Sequence, residues 1–553
     1  MSLHSIAIKH AALWQDDAWY RRAWVVWPQA ASLLAAGWLL FSAAGAPTKS
    51  SAPSASAPWA RAANAPPATN PPGLPAGIGP PANHAPPAGA KAPPTSGNAP
   101  IVPSPMPPPP QAAVAQLAVS AATDSDAFAQ LKQLAASGNA AGEFFLGALY
   151  DPTVTVQRPV TPDLQQAIAL YRSAADKGFP SAQLNLGNIY FYGPMGIPKD
   201  YSKAIPLLEK AARQGVSQAY KPVAMAYEKG WGVAPSDMQA YFWFRKAADT
   251  GDSYSEAEVG FAYEKGLHGM TVDQPTAVRW LQKAAAHGDS AAQRHLAFHY
   301  REGSGIAADK TLATEWMQRS ANGGDAYAQA EIGMAYNNGD GKPVDPRQAV
   351  AWFQKSADQG NVLGERQLAI AYKEGTGVPI DQLLAVQWFR KAADQGDAYS
   401  QAEIGLAYEA GVGYQRDIFE ATRYYRLAAE QGDAVGQLKI GEFYANGIGV
   451  PIDVVAARQY FEKAAEQGQI IAEFHLGTMY QYGHGGLIAD ASRAAFWFQK
   501  SASRGYASAQ NALGLAYARG EGVRRDLTEA RYWLRQAANN GNADAVRNLR
   551  NLR

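Results

Sequence analysis

The sequence predicts an all-α protein: an α/α superhelical solenoid of about eleven helix pairs, preceded by a transmembrane helix and a disordered Pro/Ala-rich linker. Three observations predict it. Glycine closes a helix-like segment at twelve positions from Gly138 to Gly541, at steps of 36 or 37 residues after a first step of 40. Within the eleven units so marked, tyrosine, an N-capping residue and alanine recur at fixed offsets, the signature of stacked helix pairs. Ahead of the repeats, residues 23–46 carry no charge, and residues 46–112 hold 21 of the 36 prolines.

The N-terminal elements divide the chain into residues 1–22, a short cytoplasmic tail; 23–46, a transmembrane helix or uncleaved signal anchor; and 47–122, a linker. Twenty-four uncharged residues exceed the ~20 that span a bilayer as a helix. Arg21 and Arg22 abut the segment, and Trp24, Trp27 and Trp38 lie near its ends, where indole rings favour the headgroup region. Basic residues are denser before it (Lys9, Arg21, Arg22) than just after, which sets the N-terminus in the cytoplasm and the rest outside. A cleaved signal peptide is the rival reading, because Ala44-Gly45-Ala46 has the small-x-small form, although Pro47 directly after it opposes cleavage. The Pro/Ala stretch beyond builds no core. In polyproline II at ~3.1 Å per residue it reaches at most roughly 200 Å from the membrane.

Residues 123–553 form the solenoid. In the first helix of each unit, a small residue stands four positions after the boundary glycine, an aliphatic at eight, Gly or Ala at nine and tyrosine at twelve, from Tyr150 to Tyr517 without exception. Positions four, eight and twelve share one helical face, so that face is apolar. A glycine pair such as Gly375-Thr376-Gly377 then ends the helix, positions suited to left-handed backbone. Fifteen residues before each closing glycine stands an N-cap: Asp163, Asp200, Ser236, Asp273, Asp309, Asp345, Asp381, Asp417, Asp453, Asp490 and Asp526. Such side chains accept from free backbone N–H groups and suit the positive helix end. Alanine follows four past every cap. A bulky residue follows at seven, tryptophan in seven units, and is read as core that interlocks with its neighbours. The extra residue of the 37-residue units falls between loop glycine and cap, so that loop is exposed. Thr123 to Gly138 reads as a lone second helix and Asn542 to Arg553 as a lone first helix, caps on the ends of the stack.

These residues resemble the Sel1-like repeat family, a relative of the tetratricopeptide repeats. The resemblance rests on motifs such as Leu186-Gly187-Asn188-Ile189-Tyr190, and on Asp381, Ala385, Trp388 and Lys391-Ala392-Ala393-Asp394-Gln395-Gly396. It covers residues 124–550, and a period of 36 rather than 34 favours Sel1-like units. It implies a right-handed superhelix that works as an adaptor or scaffold, often in bacterial envelopes and exopolysaccharide export. The disulfide-stapled relatives are set apart, since this chain has no cysteine.

Charge and residue types narrow the function further. With 49 basic and 48 acidic side chains the net charge is +1, no electrostatic footprint for nucleic acid. The missing cysteines remove thiolate metal sites and cysteine nucleophiles. His287, His295 and His299 fall in one unit, but a zinc-protease motif needs glutamate where Leu296 stands, so neither metal, cofactor nor catalytic residues are expected.

The expected binding surface is the face of the first helices opposite the core. Position ten is apolar in six consecutive units: Met225, Phe261, Phe298, Met334, Ile370 and Leu406. It reads either as a groove for a partner helix or peptide, or as packing between adjacent first helices. Positions six and seven alternate with a two-unit period, Ala257-Glu258, Arg294-His295, Ala330-Glu331, Arg366-Gln367 and Ala402-Glu403, which predicts Arg294 and Arg366 set between glutamates of neighbouring units. The function expected is therefore a scaffold for protein or peptide partners, anchored in a bacterial inner membrane with its repeats in the periplasm. A regulator or immunity protein capping one enzyme or toxin is the first alternative, an envelope enzyme acting on cell wall or polysaccharide the second.

Overall fold

A computed structural model describes residues 111–154 and 159–552. The expected membrane span and most of the linker lie outside these residues. Among the described residues no helix is long and apolar enough to cross a membrane, and no strand occurs.

Eleven helix pairs run in chain order from Ala140–Tyr150 with Leu164–Asp176 to Ala507–Arg519 with Leu527–Asn539. A lone helix, Ser125–Ala136, precedes them, and Ala543–Asn551 follows, as expected of the two ends. Two boundaries differ from the sequence reading. The cap of the opening helix is Asp124, one residue past Thr123, accepting from the N–H groups of Asp126 and Ala127. And Gln111–Ala121, inside the stretch read as linker, is helical. Past Pro110 the prolines stop, and Val114, Ala118 and Ala121 recur on one face that packs with Leu131 and Leu146. This extra helix covers the apolar end of the stack, as a terminal unit must.

All eleven residues read as caps do cap, each accepting from a backbone N–H two or three residues on. Each also donates its own backbone N–H to the carbonyl of its unit's tyrosine, for example Asp381 to Tyr372 at 2.9 Å and Asp490 to Tyr480 at 2.8 Å. The two columns are thus the two ends of one closed loop, and insertions between them leave the closure intact. The alanine four past each cap is buried in every unit.

The tryptophans are less central than expected. Trp243, Trp280 and Trp388 are buried, whereas Trp316, Trp352, Trp497 and Trp533 are half-buried. Cations cover several from the next helical turn, Lys391 lying 3.6 Å and Lys355 4.1 Å from the ring centroids of Trp388 and Trp352. The interlocking residue is the neighbour eight past the cap. A Cβ added to Gly333 would lie 2.5 Å from the Phe353 ring, and one on Gly405 2.6 Å from that of Tyr425. The small column of the first helix therefore receives position eight.

Candidate binding surface

First helices pack directly on the next first helix, as 326–338 does on 362–374, and this inner row carries all twelve residues expected at a binding surface. The apolar six are half-buried and pack against the core: Met225, Phe261, Phe298, Met334, Ile370 and Leu406. Phe261 packs against His295 with centroids 4.5 Å apart and planes inclined 51°, and Phe298 meets the Tyr327 ring at 5.9 Å and the Arg301 guanidinium at 4.8 Å. Packing between units occupies much of their area.

The charged members form a ladder whose rungs differ from those expected. Arg294 Nε lies 3.1 Å from Asp325, and Arg366 Nη1 2.8 Å from Asp397; both aspartates cap the next first helix. Glu331 and Glu403 instead meet Arg301 at 3.2 Å and Lys373 at 2.7 Å, cations two turns past the expected positions. Lys221 and Asp252 make the first such rung, at 3.3 Å. The two-unit period is therefore an alternation of units that present cations with units that present acids. Burial and the neighbouring carboxylates Glu258, Glu331 and Glu403 raise the Tyr254, Tyr327 and Tyr399 phenols above their ordinary range. Glu258 itself is pushed up by burial.

His295 and His299 extend this ladder, whereas His287 pairs with the fifth position of its own unit. His287 Nδ1 lies 2.7 Å from Glu256, while His295 Nδ1 and His299 Nε2 approach Glu264 at 2.9 and 3.4 Å. Burial alone would raise Glu264, but the two imidazoles outweigh it and hold the carboxyl below its usual range. Among the described residues no three ligating side chains gather as a metal site.

A second ladder went unread in the sequence. Position five of the first helix is a buried Gln or Glu in ten of eleven units, and its partner is the residue just before the following boundary glycine. Gln359 donates to Gln329 at 2.8 Å, Gln431 to Gln401 at 2.7 Å, Gln467 to Gln437 at 2.8 Å and Asn540 to Gln510 at 2.9 Å. Three of the four acidic residues at position five have a basic partner, as in Glu143 with Lys177 at 2.5 Å and Glu473 with Arg504 at 3.7 Å, while Glu365 keeps an amide, Gln395 at 2.8 Å. The signal was that covariation.

A family model for the Sel1 repeat matches eleven stretches, from 141–179 to 507–542. The chain belongs to the Sel1-repeat family. A solved Sel1-like structure, a protective antigen present in uropathogenic Escherichia coli strains, is 33% identical with a TM-score of 0.62, covering 76% of this chain and 89% of that one. Chitin synthase regulatory factor 3 of Schizosaccharomyces pombe is 32% identical over 131 residues, 24% of this chain and 14% of that protein. The Sel1-repeat-containing protein YjcO of E. coli is 30% identical over 122 residues, 21% of this chain and 53% of that protein. The Sel1 match departs from strict register at one place: residues 217–222 lie between the stretches 180–216 and 223–252.

Proposed function

We propose that this Sel1-repeat protein is a membrane-anchored scaffold that binds protein or peptide partners outside the cytoplasm of a bacterium. One observation carries the binding role. Eleven units stack in register, so their first helices offer one continuous surface on which the same columns recur. An extended repeat surface of this kind suits a partner that is itself extended, such as a peptide or a helix face. Anchoring rests on the uncharged run 23–46 flanked by Arg21 and Arg22, and the distance from the bilayer on the proline-rich stretch that follows. A place in the cell envelope, in exopolysaccharide or related assembly, draws on that anchor and on what the resemblance to Sel1-like proteins implies. The regulatory alternative draws on the likeness to a chitin synthase regulatory factor.

Two experiments separate these parts. A phosphatase fused after Arg553 is active only if the repeats are exported, so an inactive fusion, properly expressed, removes the extracytoplasmic placement. Arg301→Glu with Lys373→Glu reverses charges along the inner row. Unchanged capture of partners by this folded variant removes that row as the docking face.

A further inference from the structure

One junction breaks the repeat. In ten units position five is the buried Gln or Glu of the amide ladder, but here it is Tyr220. The residue that should pair with it, Thr250, turns back and donates to the carbonyl of its own helix at Ala247, 2.7 Å away. The entry to this first helix is a 3-10 turn, Ser217–Ala219, and the helix proper, Tyr220–Lys229, has 10 residues where most have 13. These are the residues over which the family match lapses.

The freed Tyr220 ring stacks on Trp243, with centroids 5.7 Å apart and planes inclined 29°. Between the second helices Tyr201–Arg213 and Asp237–Ala248 this leaves an open groove of about 570 Å³, lined by Arg213, Tyr220, Gln239, Phe242, Trp243 and Lys246 among others. Three features of the groove call for a ligand. Phe242 stands 47% exposed at its wall. The indole N–H of Trp243 is buried and meets no acceptor among the described residues, a state that natural structures rarely leave unexplained. Its rim is cationic: Lys246 is exposed, and Arg213 is 67% exposed, with a long contact of 3.8 Å to Glu209. The position of Arg213 carries an acid in six other units, Asp176, Asp249, Asp358, Asp394, Glu430 and Glu466, so the charge is inverted here.

We propose that this junction is a docking pocket for a partner-protein segment that carries an acidic residue beside an aromatic one. The carboxylate lies between Arg213 and Lys246, and the aromatic ring packs between Phe242 and the Tyr220 ring, which swings off Trp243 so that an oxygen of the segment accepts from the indole N–H. The inference rests on the protein-binding reading above and adds to it a place and a ligand chemistry. It puts this contact on the second-helix side, away from the inner row of first helices.

The test uses the full-length chain in detergent and a fluorescein-labelled peptide of alternating aspartate and phenylalanine, followed by fluorescence anisotropy. Its counterpart with asparagine for every aspartate is expected to bind about tenfold more weakly or worse. The double variant Arg213→Glu/Lys246→Glu and the single variant Tyr220→Gln, which restores the repeat's own residue, are each expected to lose about tenfold or more. Trp243→Phe, which keeps a ring and removes the N–H, is expected to lose less but measurably. Lys355→Glu and Lys391→Glu, at the same column in regular units, are expected to change nothing. No binding at about 1 mM peptide, equal binding of the asparagine peptide, or equal losses from the Lys355 and Lys391 variants would each overturn the pocket. Crosslinking of the intact protein to partners is the separate readout of the scaffold reading. Partners found with no peptide binding remove the pocket alone, and no partner at all removes the reading on which it rests.

Discussion

The Arg366 guanidinium lies 2.8 Å from Asp397, with side chains only 10% and 9% exposed, so a buried ion pair joins one first helix to the N-cap of the next. Removing one member strands the other, at a cost of about 3 kcal/mol or more. Arg366→Ala should therefore lower stability by about that amount in chemical denaturation. Arg366→Met with Asp397→Asn should recover most of it, since asparagine still caps the helix. Arg294→Ala, whose pair with Asp325 is more exposed at 25% and 13%, should cost less.

The loop glycines separate two kinds of constraint. Gly377 and Gly360 share a left-handed backbone, φ of 77° and 75°. A Cβ on Gly377 would lie 2.2 Å from the carbonyl oxygen of Pro346, whereas one on Gly360 meets nothing within 4 Å. Gly360→Ala should cost about 1 kcal/mol, from backbone conformation alone. Gly377→Ala should cost about 3 kcal/mol or more, because it also pries the loop from the preceding second helix. Parallel thermal melts of the two variants decide it.

Asp433 gives the pH dependence. It caps the helix Ala434–Asn446, but burial, with Glu403 and Asp397 nearby, raises its carboxyl to about 6. The folded chain then holds this proton more tightly than the unfolded chain, whose ordinary value is 3.8. Ionisation therefore costs stability as the pH rises from 3.8 to about 6, and the full cost persists above that. Asp433→Asn keeps a cap, as Asn361 does at another junction. It should stabilise the protein at pH 7 by about 2 kcal/mol, with the gain fading below about pH 4. Denaturation midpoints across that range test the sign.

The amide ladder has a missing rung. Gln293 Oε1 is buried with no hydrogen-bond partner among the described residues, because the position that supplies one elsewhere is Gly323. Gly323 has φ of −73°, so a side chain needs no left-handed backbone there, although its Cβ would meet Ser290 at 3.1 Å. Gly323→Gln should place an amide as Gln359 does on Gln329, adding about 1 kcal/mol. A lower melting temperature would count against this account of the ladder.

What could be read from the sequence, and what could not, follows from how far each interaction reaches along the chain. Asp381 and Tyr372 stood out because caps and glycine loops act within a few residues, and the tally of eleven pairs rests on them. Gln329 and Gln359 did not, because their bond crosses 30 residues and a unit boundary. The aromatic residue at seven past the cap, Trp352 or Tyr424, overshadowed Phe353 and Tyr425 at eight, although one residue of helix turns a side chain by about 100° and decides which of them enters the core. The ladder of Arg294 and Arg366 was foreseen, but its acids were misplaced. The caps Asp325 and Asp397 lie at helix starts, where one-helix spacing arguments do not look. At position five, Tyr220 is an exception that becomes visible only once nine of the ten regular residues are known to pair.

Crosslinking the full-length protein in its native membranes tests most directly the proposal that the repeats hold protein partners at the membrane. Discrete protein adducts on the repeats, identified by mass spectrometry and lost when the inner row or the Tyr220 junction is altered, are expected. Recovery of glycan alone, with no protein adduct on a folded chain, would contradict that proposal.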